Sequence, residues 1–169
     1  MKPLLRILII SLTLISFRSF AESYETGIGF RIGGISSGIT VKHFTGSTSA
    51  LEGILSFGRH SMIITGLYEK HQPFPNADGL SWFYGGGAHV GFINSNYGYY
   101  DFYHGSHGNN SNFNHSDANF LLGGDFILGL DYKFENAPIN LAIDIKPFID
   151  IIPGFYGYWE GAFTFRFTL

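Results

Sequence analysis

The stretch YGYWEGAFTFRFTL at positions 156–169 constrains the fold more than any other part of the sequence. From Gly157 onward its odd positions carry glycine or an apolar or aromatic side chain, and most of the even positions between them are polar or charged. Side chains that alternate in this way lie on opposite faces of a β-strand. The sequence therefore predicts a strand with one face suited to an oily environment and one face suited to polar groups.

The composition indicates which oily environment the aromatic face meets. Aromatic residues make up 18% of the chain and charged residues only 14%, whereas an average soluble protein has about 25% charged residues. The 169 residues include 23 glycines and no cysteine, so a disulfide framework and a cysteine-ligated metal site are excluded. This balance is unusual for a soluble globule and is typical of a barrel that faces lipid.

The N-terminus has the pattern of an export signal. Lys2 and Arg6 precede a short apolar run at 7–15, and Ser19-Phe20-Ala21 has the form of a small-x-small cleavage site. The run is shorter than the roughly 20 residues of a spanning helix, although an uncleaved anchor is the alternative. We therefore expect a cleaved signal peptide at 1–21 and one mature barrel domain at 22–169. The net charge of −3 becomes more negative after cleavage, which argues against nucleic acid as a partner.

Eight segments have the alternation and approximate length of tilted membrane strands. The second segment alternates less regularly, because each of its faces mixes apolar and polar residues, and the fourth segment is apolar on both faces. The run 72–79 contains two prolines and a glycine and predicts a loop, and Pro147 predicts a rim or a bulge. The predicted strands are 24–34, 37–44, 49–57, 61–70, 81–94, 118–132, 139–148 and 156–169.

The fold class that this pattern predicts is all-β, a single eight-stranded antiparallel up-and-down transmembrane β-barrel. An even strand number places both termini on the periplasmic side and the long segment 95–117 in an extracellular loop. Outward aromatic side chains then form a girdle at each interface with the lipid. The predicted girdle consists of Tyr68, Trp82 and Tyr132 at the periplasmic rim and Trp159, with Phe57 and Phe92, at the opposite rim.

A soluble exported barrel of the lipocalin kind, which binds a ligand in an apolar interior, is the main alternative. Such a barrel also alternates, but its outer face needs many charged residues to stay soluble. The non-aromatic face of these segments is instead dominated by glycine, which suits the interior of a narrow barrel. The composition of the two faces therefore favours lipid outside over ligand inside.

Several stretches carry a resemblance to a known family: GIGFRIGGISSGIT, LSWFYGGGAHVGF, GLDYKFENAPINLAIDIKPF and the ending FTFRFTL. Together they resemble the small OmpX/OmpA-like barrels common in Bacteroidetes. The ending is similar to the C-terminal strand signal through which barrel-assembly machinery recognises outer-membrane proteins, except that it closes on Leu169. The resemblance implies a monomer in the outer membrane of a Gram-negative bacterium, with membrane lipid as a partner and with no assigned catalytic residues.

Charged residues on the inward face need partners, because an unpaired buried charge is costly. We expect Lys146 to pair with Glu160 on the neighbouring strand, and Arg166 to reach Asp131 or Glu69. A lumen plugged by ion pairs is one interpretation, and a narrow or gated pore is the other. The ion-pair candidates are Arg31, Asp125, Asp144, Lys146, Glu160 and Arg166.

The long loop offers the remaining candidates for chemistry. His104, His107 and His115 have the residue types of a divalent-cation site, but the surrounding glycine and asparagine fix no geometry, so we predict neither a metal nor a cofactor. Tyrosines in 95–117 suit contact with a protein or a glycan. A lipid-modifying enzyme is a further alternative, yet Ser61 and His60 are adjacent and face opposite ways on a strand. We therefore predict no catalytic residue.

Overall fold

A computed structural model describes residues 24–58, 61–93, 119–152 and 154–169. The predicted signal peptide at 1–21 and the whole predicted loop at 95–117, with its three histidines, lie outside these ranges. Within them the chain forms eight β-strands. The strands are β1 (Thr26–Gly33), β2 (Ser37–Phe44), β3 (Ser49–Phe57), β4 (Ser61–Pro73), β5 (Leu80–Ile93), β6 (Asn119–Lys133), β7 (Ile139–Ile152) and β8 (Tyr156–Thr168).

The eight strands close into one antiparallel barrel in sequence order. Each strand pairs with its neighbour along the chain, and β8 returns to pair with β1, where Phe30 lies opposite Phe165. Closure leaves no strand with an unpaired edge, so every strand finds two backbone partners. The predicted eight-stranded up-and-down barrel is confirmed.

Side chains along the strands alternate between the outside and the lumen, as predicted. On β1, Phe30 is 59% exposed, whereas the next residue, Arg31, is 2% exposed and lies in the lumen. The uncertain strand β2 follows the same rule, because Val41 faces outward and Lys42 is completely buried. Apolar and aromatic residues thus cover the outside of the wall, and the charged residues of the described strands, with the exception of Lys70, lie inside it.

The fourth strand is longer than predicted, because residues 71–73 continue the pairing with β5. Pro73 is tolerated for a geometrical reason. The Phe74 N–H donates to the Leu80 carbonyl over 3.0 Å, so Pro73 occupies a non-hydrogen-bonded position opposite Ser81. A ladder N–H is not needed there. The loop predicted at 72–79 is therefore shortened to 74–79.

The seventh strand also continues beyond the predicted end at 148, as far as Ile152. Pro147 therefore lies inside the strand and not at a rim, opposite Trp159 of β8. Regular pairing with β6 skips Phe126 and Ile127 beside this proline, which has no N–H to contribute. A register shift follows between Leu122 and Gly123 of β6, in keeping with the predicted irregularity.

Several inward glycines occupy places where the backbone of the neighbouring strand comes close. A Cβ at Gly29 or at Gly87 would lie 1.8 Å from a carbonyl oxygen of the adjacent strand, and one at Gly38 would lie 1.9 Å away. Any larger residue would push the neighbouring strands apart. These glycines therefore allow close backbone approach in the wall, in addition to leaving room in a narrow lumen.

The two ends of the barrel differ. At the end that we call the terminus end lie Tyr24, Leu169 and the short connections at 45–48, 74–79 and 134–138. At the opposite end, the loop end, lies the connection between β5 and β6, which has the longest sequence. The height of the wall differs as well, since β1 to β3 have eight or nine residues and β4 to β8 have 13 to 15.

Candidate functional site

The lumen holds the chemically active side chains of the described chain. Along each strand the side chain of every second residue points into the lumen, and many of these inward residues are charged. They fall into two groups along the barrel axis, which we call the terminus-end network and the loop-end network. The first consists of Lys42, Glu52, Glu69, Asp131 and Arg166, and the second consists of Arg31, His89, Asp125, Asp144, Lys146, Asp150 and Glu160.

Lys42 is the centre of the terminus-end network. Its Nζ lies 2.7 Å from Glu69 Oε2, 3.2 Å from Glu52 Oε2 and 3.7 Å from Asp131 Oδ2. The same ammonium lies 4.2 Å from the centre of the Phe83 ring, within the range of a cation–π interaction. Since β2 and β6 are on opposite sides of an eight-stranded ring, the Lys42–Asp131 contact crosses the lumen.

Arg166 is the second cation of this network and is also buried. Its guanidinium donates to Glu52 from the far side of the lumen and lies 3.5 Å from Asp131 Oδ2. It also donates to Asn140 Oδ1 over 3.0 Å. Thr40 donates to Glu52, and Asn140 donates to Asp131, so neutral side chains satisfy further lone pairs of the carboxylates. Two cations are thereby shared among three carboxylates.

The first part of the loop-end network connects β1 with β7 and β8. Arg31 forms a two-pronged ion pair with Asp144, and its Nη2 donates to Asp144 Oδ1 over 2.8 Å. The Glu160 carboxylate lies 4.0 Å from the same guanidinium. Its Oε1 accepts hydrogen bonds from the backbone N–H groups of Ile35 and Ser36, over 3.2 and 2.8 Å. Glu160 therefore fixes the connection between β1 and β2.

The second part of the loop-end network places a histidine between two carboxylates. His89 Nδ1 lies 2.8 Å from Asp125 Oδ2, and Nε2 lies 2.7 Å from Asp150 Oδ1. When both ring nitrogens are protonated, the ring donates to both carboxylates and carries a positive charge. Lys146 donates to the other oxygen of Asp125 over 2.9 Å. The cluster therefore places a histidine and a lysine beside two carboxylates.

An apolar cluster fills part of the lumen as well. It is formed by inward side chains of β3 to β7, namely Ile54, Leu67, Phe83, Ile127 and Ala142. At the terminus end, Tyr24, Phe44 and Ala50 form a second apolar cluster. Aromatic contacts connect the two, since the His71 ring lies 4.8 Å from Phe44 and stacks 5.1 Å from Phe83. Side chains thus occupy the lumen at these levels.

The structure brings together some of the predicted ion-pair residues in an unexpected way. Lys146 and Glu160 are in register on neighbouring strands, but the Lys146 ammonium turns to Asp125, and Glu160 caps the β1–β2 connection. Arg166 meets Asp131, one of its two expected partners, and also Glu52. Arg31 of β1 pairs with Asp144 of β7, two strands away at the loop end of the lumen.

Sequence reasoning missed Asp150 and Asn140 as members of the lumen networks. The predicted strand ends at 148, so it leaves out Asp150, which faces inward like Phe148 in the longer observed strand. Alternation along 139–148 predicts that Asn140 faces inward, but its bond to Asp131 depends on a register that alternation alone does not fix. Continuing the alternation past Pro147 is the signal that finds the first of these residues.

The aromatic residues of the predicted girdle face outward near the two ends of the barrel. Tyr68, Trp82 and Tyr132 are exposed and lie toward the terminus end, and Trp159 is exposed toward the loop end.

In the described ranges, no group of three or more His, Asp or Glu side chains is arranged to hold a metal ion. His104, His107 and His115 lie outside those ranges, so the hypothesis about them is not tested. No helix among the described residues is long and apolar enough to cross a membrane.

Comparison with known proteins bears on the architecture. The chain matches no protein-family model and no curated protein. Among solved structures, it is similar to the crystal structure of the N-terminal β-barrel domain of Pseudomonas aeruginosa OprF, with a TM-score of 0.63. The similarity covers 88% of this chain and 98% of that domain at 14% sequence identity. At this level of identity, the likeness shows a shared barrel fold.

Proposed function

We propose that this protein is an integral outer-membrane β-barrel with a structural role, whose lumen is braced by ion pairs. The observation that carries the proposal is the inverted distribution of polarity across the wall. Phe126 at the middle of β6 is 64% exposed, whereas Asp125 beside it is 2% exposed and ion-paired. The same contrast recurs on every strand. A wall of this kind is stable where lipid surrounds it.

The lipocalin-like alternative requires the reverse arrangement, with an apolar interior and a charged exterior. Exposed apolar side chains instead occur on all eight strands, including Ile64, Leu128 and Ile143. An apolar surface of this extent would drive aggregation of a protein dissolved in water. This surface, together with the predicted export signal, supports the outer membrane as the location.

The structural role follows from the contents of the lumen. Lys42 and Arg166 make contacts that cross the barrel, and an apolar layer with Phe83 lies next to them. Cross-barrel contacts tie distant strands together and occupy the space that a solute would use. A bracing role therefore fits the geometry better than a narrow pore. We expect the protein to leave the conductance of planar bilayers at the level of bilayers without protein. Discrete channel openings would favour the pore.

Surface interaction through the loop at 95–117 remains a prediction from the sequence, because that loop lies outside the described ranges. Catalysis is not part of the proposal. The candidate Ser61 is a buried residue at the start of β4, and its sequence neighbour His60 lies outside the described ranges. Lipid A of unchanged mass in a deletion strain is the expected result.

The test of the location is membrane fractionation combined with gel mobility. We expect the protein in the outer-membrane fraction, and we expect a faster-migrating band in unheated samples than in boiled ones, because a closed barrel resists detergent. As matched variants we suggest Phe126→Arg, which puts a charge on the outer face, and Phe126→Leu, which keeps that face apolar. Recovery of the wild-type protein from the soluble periplasm would contradict the proposal.

A further inference from the structure

The outer face of the barrel carries a single charged side chain among the described strand residues, and that residue is Lys70. It lies on β4, two residues beyond the outward Tyr68, with the buried Glu69 and His71 on either side of it in sequence. All other charged residues of the described strands face the lumen. A cation retained on a wall otherwise free of charge calls for a partner outside the chain.

Lys70 has no acidic partner within the described part of the chain. Its Nζ donates to the hydroxyl of Ser49 over 2.6 Å and lies 5.6 Å from the centre of the Tyr68 ring. The Tyr68 side chain also interacts electrostatically with Ser49 and Lys70. The ammonium and two hydroxyl groups therefore form one cluster of donors. Its positive charge is not cancelled by any carboxylate in these contacts.

The register between strands places this cluster beside two more aromatic residues. Lys70 lies opposite Tyr84 of β5, and Gln72 lies opposite Trp82. The rings of Trp82 and Tyr84 stack with their centres 5.4 Å apart. Outward Tyr and Trp side chains prefer the boundary between lipid tails and head groups. The cation therefore lies at a rim of the wall, three residues before the end of β4.

We propose that Lys70, Ser49 and Tyr68 bind the phosphate of an anionic phospholipid in the leaflet at the terminus end. This inference rests on the proposed membrane function. A lysine ammonium is a common phosphate ligand, and hydroxyl groups supply additional donors. The aliphatic stem of Lys70 and the Tyr68 ring supply the apolar contact for the part of the acyl chains next to the head group. Charge complementarity selects the lipid, since the cluster has a positive charge and no acidic member.

The two tryptophans of the chain allow a direct test, because they lie at opposite ends of the barrel. Trp82 is next to the Lys70 cluster, whereas Trp159 is toward the loop end and is 68% exposed. The variant Trp159→Phe leaves Trp82 as the fluorophore, and Trp82→Phe leaves Trp159. Each protein is folded into phosphatidylcholine vesicles that contain a minority of phosphatidylglycerol. One sample has brominated phosphatidylcholine and the other has brominated phosphatidylglycerol, and each brominated lipid quenches the tryptophan that it contacts.

We expect brominated phosphatidylglycerol to be enriched at Trp82 about fivefold over phosphatidylcholine, the effect of one cation at a charged lipid surface. At Trp159 the ratio should be close to one. The substitution Lys70→Gln should lower the ratio at Trp82 to that at Trp159, and Lys70→Arg should retain most of the enrichment. Heat-modifiable gel mobility checks that each variant has folded.

The outcomes separate this inference from the proposed function. Quenching of both tryptophans by brominated phosphatidylcholine, without enrichment at Trp82, would leave the membrane barrel standing and overturn the lipid site. Enrichment that persists in Lys70→Gln would also overturn it, because the attraction would then come from elsewhere. If brominated lipid quenches neither tryptophan in the folded protein, the membrane proposal and the lipid site are both overturned.

Discussion

The outer face and the lumen are made by alternate residues of the same eight strands, yet they treat charge in opposite ways. In the lumen, cations and carboxylates are concentrated and lie within ion-pair distance of one another, as Lys42 does with Glu52 and Glu69. On the outer face, the described strands keep one cation, Lys70, at a rim. The comparison teaches that charge is distributed here according to partner and depth, because the lumen charges have partners within the chain, whereas Lys70 lies near the end of its strand.

Removal of one lumen cation should have the largest effect. The substitution Arg166→Met leaves Glu52 and Asp131 short of positive charge, and breaking a buried ion pair from one side costs about 3–5 kcal/mol. The free energy of unfolding, measured with urea in detergent micelles, should fall by that amount. The double variant Arg166→Met, Glu52→Gln should recover part of the loss. A fall below about 1 kcal/mol would show that the network is not tightly coupled.

A charge introduced on the outer face should have the next largest effect. Phe126→Arg puts a cation at the centre of β6, where the cost for a lipid-facing barrel position is about 2–4 kcal/mol. Equilibrium unfolding from lipid vesicles measures this cost. The control Phe126→Leu keeps the face apolar and should lose much less stability. Equal stability of the two variants would mean that this position is in contact with water and not with lipid.

A pair of glycine substitutions compares the two faces without any charge. Gly29→Ala brings a Cβ into the backbone of β8, so we expect it to cost about 1–3 kcal/mol. Gly53 faces outward, and a Cβ there meets nothing within 4 Å, so Gly53→Ala should change stability by less than about 0.5 kcal/mol. Thermal unfolding in micelles ranks the two. Equal effects would contradict the close approach of β1 and β8.

The smallest expected effect is that of salt. Raising ionic strength from about 0.1 M to about 1 M shortens the screening length from about 10 Å to about 3 Å, yet buried pairs are screened far less than exposed ones. Because the terminus-end network is fully buried, the free energy of unfolding in neutral micelles should change by less than about 0.5 kcal/mol. A loss of several times that amount would indicate that water enters the lumen.

The sequence was sufficient for the faces of the strands but not for the partners in the lumen. Alternation alone assigned Phe30 outward and Arg31 inward, because the period of two is local. The partners of Arg166 depend instead on the stagger between strands and on contacts across the ring, which join β8 to β3. Lys146 shows the limit clearly. Register made Glu160 its neighbour, but the flexible side chain reached Asp125.

The strand ends at prolines were the other point where the sequence misled. The sequence predicts a loop at Pro73 and a rim or a bulge at Pro147, since proline removes a ladder hydrogen bond. Pro73 escapes this cost at a non-hydrogen-bonded position, and Pro147 is accommodated beside an interruption in the β6–β7 ladder. Which side of a strand a missing N–H faces depends on register, so composition could not decide either case.

The unequal strand lengths would have a mechanical consequence for a bilayer around the proposed membrane barrel. With a rise of about 3.4 Å per residue and a tilt of about 40°, β1 spans about 20 Å and β6 about 40 Å, against an apolar band of about 25 Å. In a membrane, the low side of the barrel would draw the two leaflets together, and the high side would project beyond them. The lipid would therefore be deformed on one side only, which gives a monomer a preferred direction in which to meet its neighbours.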